Sequence, residues 1–92
     1  MEKKVIDAFT VLNQKGLHAR PSAEIVKCTS FFESRITLQL RGIRVNAKSI
    51  LDILTLAVPC GAEIVIEAEG VDAEEAVRSL IELAKDQFSV RY

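Results

Sequence analysis

The stretch SRITLQLRGIRVN, residues 34–46, decides the fold because it contains two short strand patterns on either side of a turn. Between Ser34 and Leu40 the apolar residues Ile36, Leu38 and Leu40 alternate with polar ones, which is the period of a strand with one buried face. Arg41-Gly42 then predicts a tight turn, and residues 43–46 follow as the partner strand. The stretch therefore predicts an antiparallel hairpin with one face in water.

The segments on either side of the hairpin alternate between strand and helix patterns. We predict a strand over residues 5–12, a helix from near His18 to about Phe32, a helix over residues 49–58 stopped by Pro59-Cys60-Gly61, and a strand over residues 63–69. Pro21 fits the first helix only in its first turn, where its missing N–H is not needed.

The last helix is predicted from Asp72, because Asp72 and Glu75 have the spacing of a capping box and apolar residues follow at helical spacing. The tail from Phe88 to Tyr92 has no clear pattern. The element order is then β-α-β-β-α-β-α without a linker or repeat. This order predicts an α+β domain of two layers, a four-stranded antiparallel sheet with three helices on one face.

Bulk composition limits the possible classes of function. The chain has 92 residues, of which 49% are hydrophobic and 27% charged, and its formal net charge is -1. Its size and hydrophobic content predict one folded domain over residues 1–92. Since the charges of both signs are interspersed, we expect no nucleic-acid partner and no membrane partner.

The two cysteines, Cys28 and Cys60, are far apart in the sequence and lack the close pairing of a zinc or redox site. We expect two buried thiols and no metal. An acidic residue interrupts the first apolar residues too early for a signal peptide. No segment approaches the ~18 consecutive apolar residues of a membrane span. A cytoplasmic location is therefore expected.

The segment GLHARPS, residues 16–22, places the only histidine, His18, at the junction of a loop and a helix. The first turn of a helix attracts anions through its N–H groups and dipole, and Arg20 can add charge-assisted hydrogen bonds. A histidine ring is substantially neutral at cellular pH, so a ring nitrogen can attack phosphorus. The alternative, a plain surface or capping histidine, stays open on these residues alone.

Two segments of the sequence together resemble the HPr phosphocarriers of the phosphoenolpyruvate-dependent phosphotransferase system. GLHARP, residues 16–21, is similar to the family's phosphohistidine segment, and VNAKSI, residues 45–50, is similar to its regulatory serine segment. The resemblance runs through nearly the whole chain, and it implies the family's open-faced β-sandwich.

The resemblance also implies roles for residues and partners. His18 would accept a phosphoryl group from phospho-enzyme I on Nδ1 and pass it to an enzyme IIA, with Arg20 against the phosphoryl group. Ser49, flanked by Asn46 and Lys48, would be the target of HPr kinase/phosphorylase in lineages that have this enzyme. The surface that binds partners would include Leu17, Leu51 and Leu54. Such a protein is a carrier that acts as a monomer without a cofactor, and it is not an enzyme.

Two residues depart from the family pattern. Asp52 stands where relatives usually have a small residue, and Ser49 and Asp52 together spell a capping box in which the carboxylate reaches back to the Ser49 N–H. We expect its charge to weaken phosphorylation of Ser49 or to alter partner choice. Lys15 replaces a small polar residue, and we expect it to help hold the phosphate, with a solvated turn lysine as the alternative.

Three other functions compete with this interpretation. An acylphosphatase-like hydrolase would need an oxyanion cradle and a positioned water, and the sequence offers no such constellation. A regulatory paralogue that lacks the histidine and acts through its serine is disfavoured by the presence of His18, whereas a regulator that acts chiefly through Ser49 stays open as an alternative. A carrier of the nitrogen-related phosphotransfer branch stays open, because both branches share the two segments and differ in surface residues that select partners.

Overall fold

The computed structural model describes residues 3–91 and has the predicted order of strands and helices. The elements are β1 (Lys3–Thr10), α1 (Ala19–Thr29), β2 (Arg35–Leu40), β3 (Ile43–Asn46), α2 (Ile50–Thr55), β4 (Glu63–Gly70) and α3 (Ala73–Lys85), followed by a single 3₁₀ turn (Gln87–Ser89). The α+β fold with a four-stranded antiparallel sheet and three helices is confirmed. Met1, Glu2 and Tyr92, the ends of the predicted domain, lie outside the described residues.

The four strands form one antiparallel sheet in the order β1-β4-β2-β3. Strand β4 is central, since it pairs with β1 on one side and with β2 on the other. The register places Phe9 opposite Ile64 and Thr10 opposite Glu63. The end of β1 therefore lies beside the start of β4.

The core lies between one face of the sheet and the helices. Alternate residues of β4 are buried, from Ile64 through Ile66 to Ala68, and α3 packs its buried side chains, including Leu80, on this face. Burying each large apolar side chain stabilises the fold by about 1.5–3 kcal/mol. The intervening residues of β4 face away from the helices, where Glu67 pairs with Arg44 at 2.9 Å.

Both of the first two helices are shorter than predicted. Helix α1 ends at Thr29, whose buried hydroxyl donates to the Ala47 carbonyl at 2.9 Å and so joins the helix end to the segment before α2. Helix α2 ends at Thr55, because Ala57 adopts a left-handed conformation with φ 52°. Helix α2 thus ends before Pro59, so the prediction that Pro59-Cys60-Gly61 ends this helix is wrong.

The expectation of two buried thiols is wrong for Cys60 and holds only in part for Cys28. Cys28 is half-buried on α1, where burial raises the pKa of its thiol. Cys60 is exposed, because it lies on the turn between α2 and β4. Over residues 3–91 no helix is both long enough and apolar enough to cross a bilayer.

The tail that the sequence left undecided forms a turn and packs into the core. Gln87, Phe88 and Ser89 all have left-handed backbones, with φ between 54° and 60°. Each such residue costs about 1–2 kcal/mol relative to ordinary backbone, so the surroundings must hold the turn in place. Phe88 helps to hold the turn, since it is fully buried and its ring packs edge-on against the Phe9 ring, with 5.7 Å between the ring centroids.

The capping box predicted at the start of α3 is wrong. Asp72 makes no side-chain capping bond, and its carboxylate instead accepts the backbone N–H groups of Glu33 at 2.8 Å and Ser34 at 3.0 Å, together with the Ser34 hydroxyl. The hydrogen bond from the Ser34 hydroxyl and that from the Glu33 N–H lower the pKa of the Asp72 carboxyl. This carboxylate therefore joins α3 to the loop before β2.

We expect Asp72→Ala to destabilise the fold at pH 7 but much less in acid. Because the folded state lowers the pKa of Asp72, the carboxylate's contribution is present above the ordinary aspartate pKa of about 3.9 and is lost as pH falls through the lowered value. Urea unfolding of both proteins at pH 7 and at successively lower pH measures this difference. A difference in the free energy of unfolding between the parent and Asp72→Ala that does not decrease as the pH falls would contradict this prediction.

Candidate functional site

His18 lies at the position that the sequence predicted, immediately before α1. Its backbone is extended, with φ −75° and ψ −166°, and its carbonyl accepts the Ser22 N–H at 3.1 Å, so His18 is the N-cap residue of the helix. The ring is half-buried. The first turn of α1 contains no acidic residue, so no carboxylate in that turn offsets the attraction of the helix start for an anion.

The loop that carries His18 is packed against the segment 58–62. The Leu17 N–H donates to the Val58 carbonyl at 3.0 Å, and Val11 exchanges hydrogen bonds with Gly61 at 2.8 Å and Ala62 at 2.9 Å. Gly16 has φ +67°, and a Cβ on it would lie 2.1 Å from the Val58 carbonyl oxygen. Only glycine fits at this position, which explains part of the GLHARP segment.

Residues 58–61, which had no predicted function, support the His18 loop. No local signal identifies this segment, because its contribution comes from backbone carbonyl and N–H groups, which every residue except proline presents alike. Gly16 gave an indirect signal, since a glycine beside a functional residue often marks close backbone approach.

The two residues expected near the phosphate are accessible, whereas Leu17, expected on the partner surface, is not. Arg20, the second residue of α1, and Lys15, in the turn before Gly16, are both exposed. The placement of Leu17 on the partner surface is wrong. Leu17 is only 3% exposed and belongs to the hydrophobic core, because its N–H is tied to Val58 and its carbonyl accepts the Ser22 hydroxyl at 3.1 Å.

The residues expected around Ser49 are joined in one hydrogen-bonded cluster. Ser49 is the N-cap of α2, and its hydroxyl accepts the Asp52 N–H at 3.2 Å. The Asn46 side-chain carbonyl accepts the Lys48 N–H at 2.9 Å, and the Lys48 ammonium donates to the Phe32 carbonyl at 2.7 Å. Four of the predicted residues are therefore neighbours in space as well as in sequence.

The capping box at Ser49 is only half formed. The Asp52 carboxylate does not reach the Ser49 N–H, which donates to the Asn46 carbonyl at 3.1 Å. It accepts the Asn46 N–H instead, at 3.2 Å. The reason is that the end of β3 curls back over the first turn of α2 and supplies both the acceptor and the competing donor. Asp52 thus holds β3 against α2.

The His18 and Ser49 sites lie at opposite ends of α1. The segment before Ser49 contacts Thr29 at the C-terminal end of α1 and Phe32 just beyond it, while the segment after α2 contacts the loop at the N-terminal end of α1. A helix of 11 residues is about 16 Å long. Between the two sites, α2 exposes an apolar strip made of Ile50, Leu51 and Leu54, of which Leu51 is 74% exposed.

The geometry at His18 favours an anion at the ring, in a position that can be reached from solvent. The ring stands at a helix start with a guanidinium two residues further on, and the histidine is open to solvent on part of its surface. Within residues 3–91 no three side chains of the metal-binding types lie together.

Comparison with proteins of known family gives a consistent result. Residues 6–86 match the family model described as the PTS HPr component phosphorylation site. The phosphocarrier protein HPr of Treponema pallidum is 42% identical over 84 residues, which cover 91% of this chain and 96% of that protein.

Solved structures agree with the sequence comparison. A crystal structure of HPr from Thermoanaerobacter tengcongensis aligns with a TM-score of 0.88 at 39% identity, covering 98% of this chain and 99% of that one. An HPr dimer from the same organism aligns with a TM-score of 0.74 at 41% identity, covering 87% of this chain and 92% of that one.

We expect Gly16→Ala to lower the free energy of unfolding by about 2–4 kcal/mol, since the new methyl group would add a clash with Val58 to the cost of a left-handed alanine. Gly42→Ala is the matched control. Gly42 has φ +82°, and a Cβ on it would meet nothing within 4 Å, so its loss should be about 1 kcal/mol. Urea unfolding of both variants compares the two costs, and equal losses would show that Val58 does not constrain Gly16.

Proposed function

Since this chain belongs to the HPr family and is a phosphocarrier of the phosphotransferase system rather than an enzyme, we propose that His18 is its phosphoryl acceptor. The observation that carries the proposal is the position of the histidine at the start of α1, half-buried and without an acidic residue in the first helical turn. This position favours the negative charge that the phosphoryl group brings.

The chemistry requires few groups. The neutral ring attacks phosphorus through Nδ1, a new N–P bond forms as the bond from phosphorus to the donor breaks, and the phosphoryl group arrives with its oxygens charged. The helix start and the Arg20 guanidinium stabilise these oxygens. In the second transfer the same N–P bond breaks and the ring nitrogen is the leaving group, so His18 returns to its starting state.

Family membership implies partner proteins of the phosphotransferase system. We propose enzyme I as the donor and an enzyme IIA as the acceptor, both in the cytoplasm. The apolar strip of Ile50, Leu51 and Leu54, exposed beside α1, supports protein docking near the site. We further propose that the chain acts as a monomer and forms a single domain, although one similar HPr structure is a dimer.

The alternative functions are not favoured, because the relatives compared are phosphocarrier proteins named HPr. Ser49 is proposed as a second phosphorylation site, for HPr kinase/phosphorylase where that enzyme exists. Its hydroxyl is already an acceptor for the Asp52 N–H, and the Asp52 side chain stays close by through its bond to Asn46. A phosphate on Ser49 would meet a carboxylate there.

Incubation with phosphoenolpyruvate and catalytic enzyme I should add one phosphoryl group to the chain, and brief acid treatment should remove it. Intact mass measures both steps. The attached group is acid-labile because protonation makes the imidazole a good leaving group. His18→Ala is the control and should gain nothing.

A chain that stays unlabelled with enzyme I from several sources, or a His18→Ala variant that is labelled equally, would overturn the proposal.

The labelled protein also tests Lys15, whose charge should slow loss of the phosphoryl group. If Lys15→Ala leaves the phosphohistidine lifetime unchanged, Lys15 is a solvated turn residue.

Removing the charge at position 52 should speed phosphorylation of Ser49 by HPr kinase/phosphorylase with ATP. We expect about a fivefold gain for Asp52→Asn, the equivalent of the ~1 kcal/mol that one like-charge pair costs near water. The side chain introduced by Asp52→Asn would keep an acceptor for the Asn46 N–H, whereas Asp52→Gly loses that acceptor. Comparing the two variants therefore separates the effect of the charge from the effect of the hydrogen bond to Asn46. The measurement is the initial rate of phosphoserine formation in the parent and in both variants. Equal rates in all three proteins would contradict the prediction.

A further inference from the structure

The side chain of Asn13 joins the His18 loop to the C-terminal turn. Asn13 is fully buried, and its amide nitrogen donates to the carbonyls of Gln87 at 3.0 Å and Val90 at 2.8 Å. The two acceptors are 74 and 77 positions away in the sequence. One side chain therefore spans both ends of the turn.

The C-terminal turn that accepts these hydrogen bonds is itself packed into the core. Its middle residue, Phe88, is fully buried against Phe9, and Val90 is only 3% exposed. The Val90 N–H donates back to the Gln87 carbonyl at 3.0 Å, which closes the turn. A left-handed backbone over three residues persists only where the surroundings hold it, and the Asn13 amide is one of the groups that does so.

The backbone of Asn13 continues the link toward the histidine. Its carbonyl accepts the Gly16 N–H at 2.9 Å, which closes the turn over residues 13–16. The far end of this turn is held by Val58, through the Leu17 N–H and the close approach at Gly16. His18 follows directly, so the two supports together set where the loop meets α1.

We propose that Asn13 is a positioning residue for phosphoryl transfer, acting through the turn at residues 13–16 on the placement of the His18 ring. This inference rests on the proposed function of His18. Because Asn13 is buried, it cannot contact a partner protein itself. Its loss should therefore slow transfer within the bound complex and leave docking nearly unchanged.

The test compares Asn13→Ala and Asn13→Asp in the full chain with the parent. Asp keeps the side-chain volume and removes the N–H donors, so an effect common to both variants is not due to a cavity. Gln14→Ala, an exposed change in the same loop, is the matched control. The measurement is steady-state phosphorylation by enzyme I and phosphoenolpyruvate, at a temperature where unfolding curves show each protein folded.

We expect kcat to fall about tenfold or more in both Asn13 variants with KM within about twofold of the parent, since small misplacement of a reacting group costs rate. Gln14→Ala should match the parent. Variants that lose stability but transfer at the parental kcat would overturn the inference, as would a rise in KM alone.

If the Asn13 variants do not fold, Phe88→Leu tests the same link from its other end. It loosens the anchor while keeping an apolar side chain, and it should lower kcat in the same direction. An unchanged kcat in that variant would overturn the inference. A parent chain that accepts no phosphoryl group at all would instead defeat the proposed function, so the two failures can be told apart.

Discussion

The register between β1 and β4 is the constraint on which the site depends. Because the two strands are antiparallel and Thr10 lies opposite Glu63, the loop that leaves β1 and the segment that enters β4 begin side by side. The Gly61 N–H donates to the Val11 carbonyl and the Val11 N–H donates to the Ala62 carbonyl, which continues this pairing beyond the sheet. The bond from the Leu17 N–H to the Val58 carbonyl extends it to the residue before His18. A slip of one residue would turn the core face of the slipped strand toward water, so burial of Phe9 on β1 and of Ile64 and Ile66 on β4 fixes the loop as well.

Helix α1 relates the two proposed phosphorylation sites to each other. Its N-terminal end follows His18, and its C-terminal end contacts the segment before Ser49 through Thr29. A charge added at either end is about one helix length from the other, beyond the Debye length of about 8 Å at physiological salt. Direct repulsion between two phosphates is therefore weak.

Much of the architecture could be predicted from local patterns. The alternation over residues 34–40 predicted β2, and the position of Pro21 limited where α1 could start. The two capping-box predictions failed where a polar side chain had a choice of partners. Asp72 and Asp52 both have capping-box spacing, yet their carboxylates bond to Ser34 and Asn46, which approach only after the chain has folded. The prediction for Leu17 was wrong because the burial of a side chain depends on what packs against it after folding.

The sequence by itself determined the element order, the histidine at a helix start and the two segments that resemble the family, because these follow from short-range periodicity and from residue types. The tertiary structure decided which backbone groups support the His18 loop. Val58 contributes a carbonyl, and the C-terminal turn contributes two more to Asn13 from more than 70 positions away. Such contacts leave no local signature, since backbone carbonyls are the same in every residue and only the fold brings them within reach.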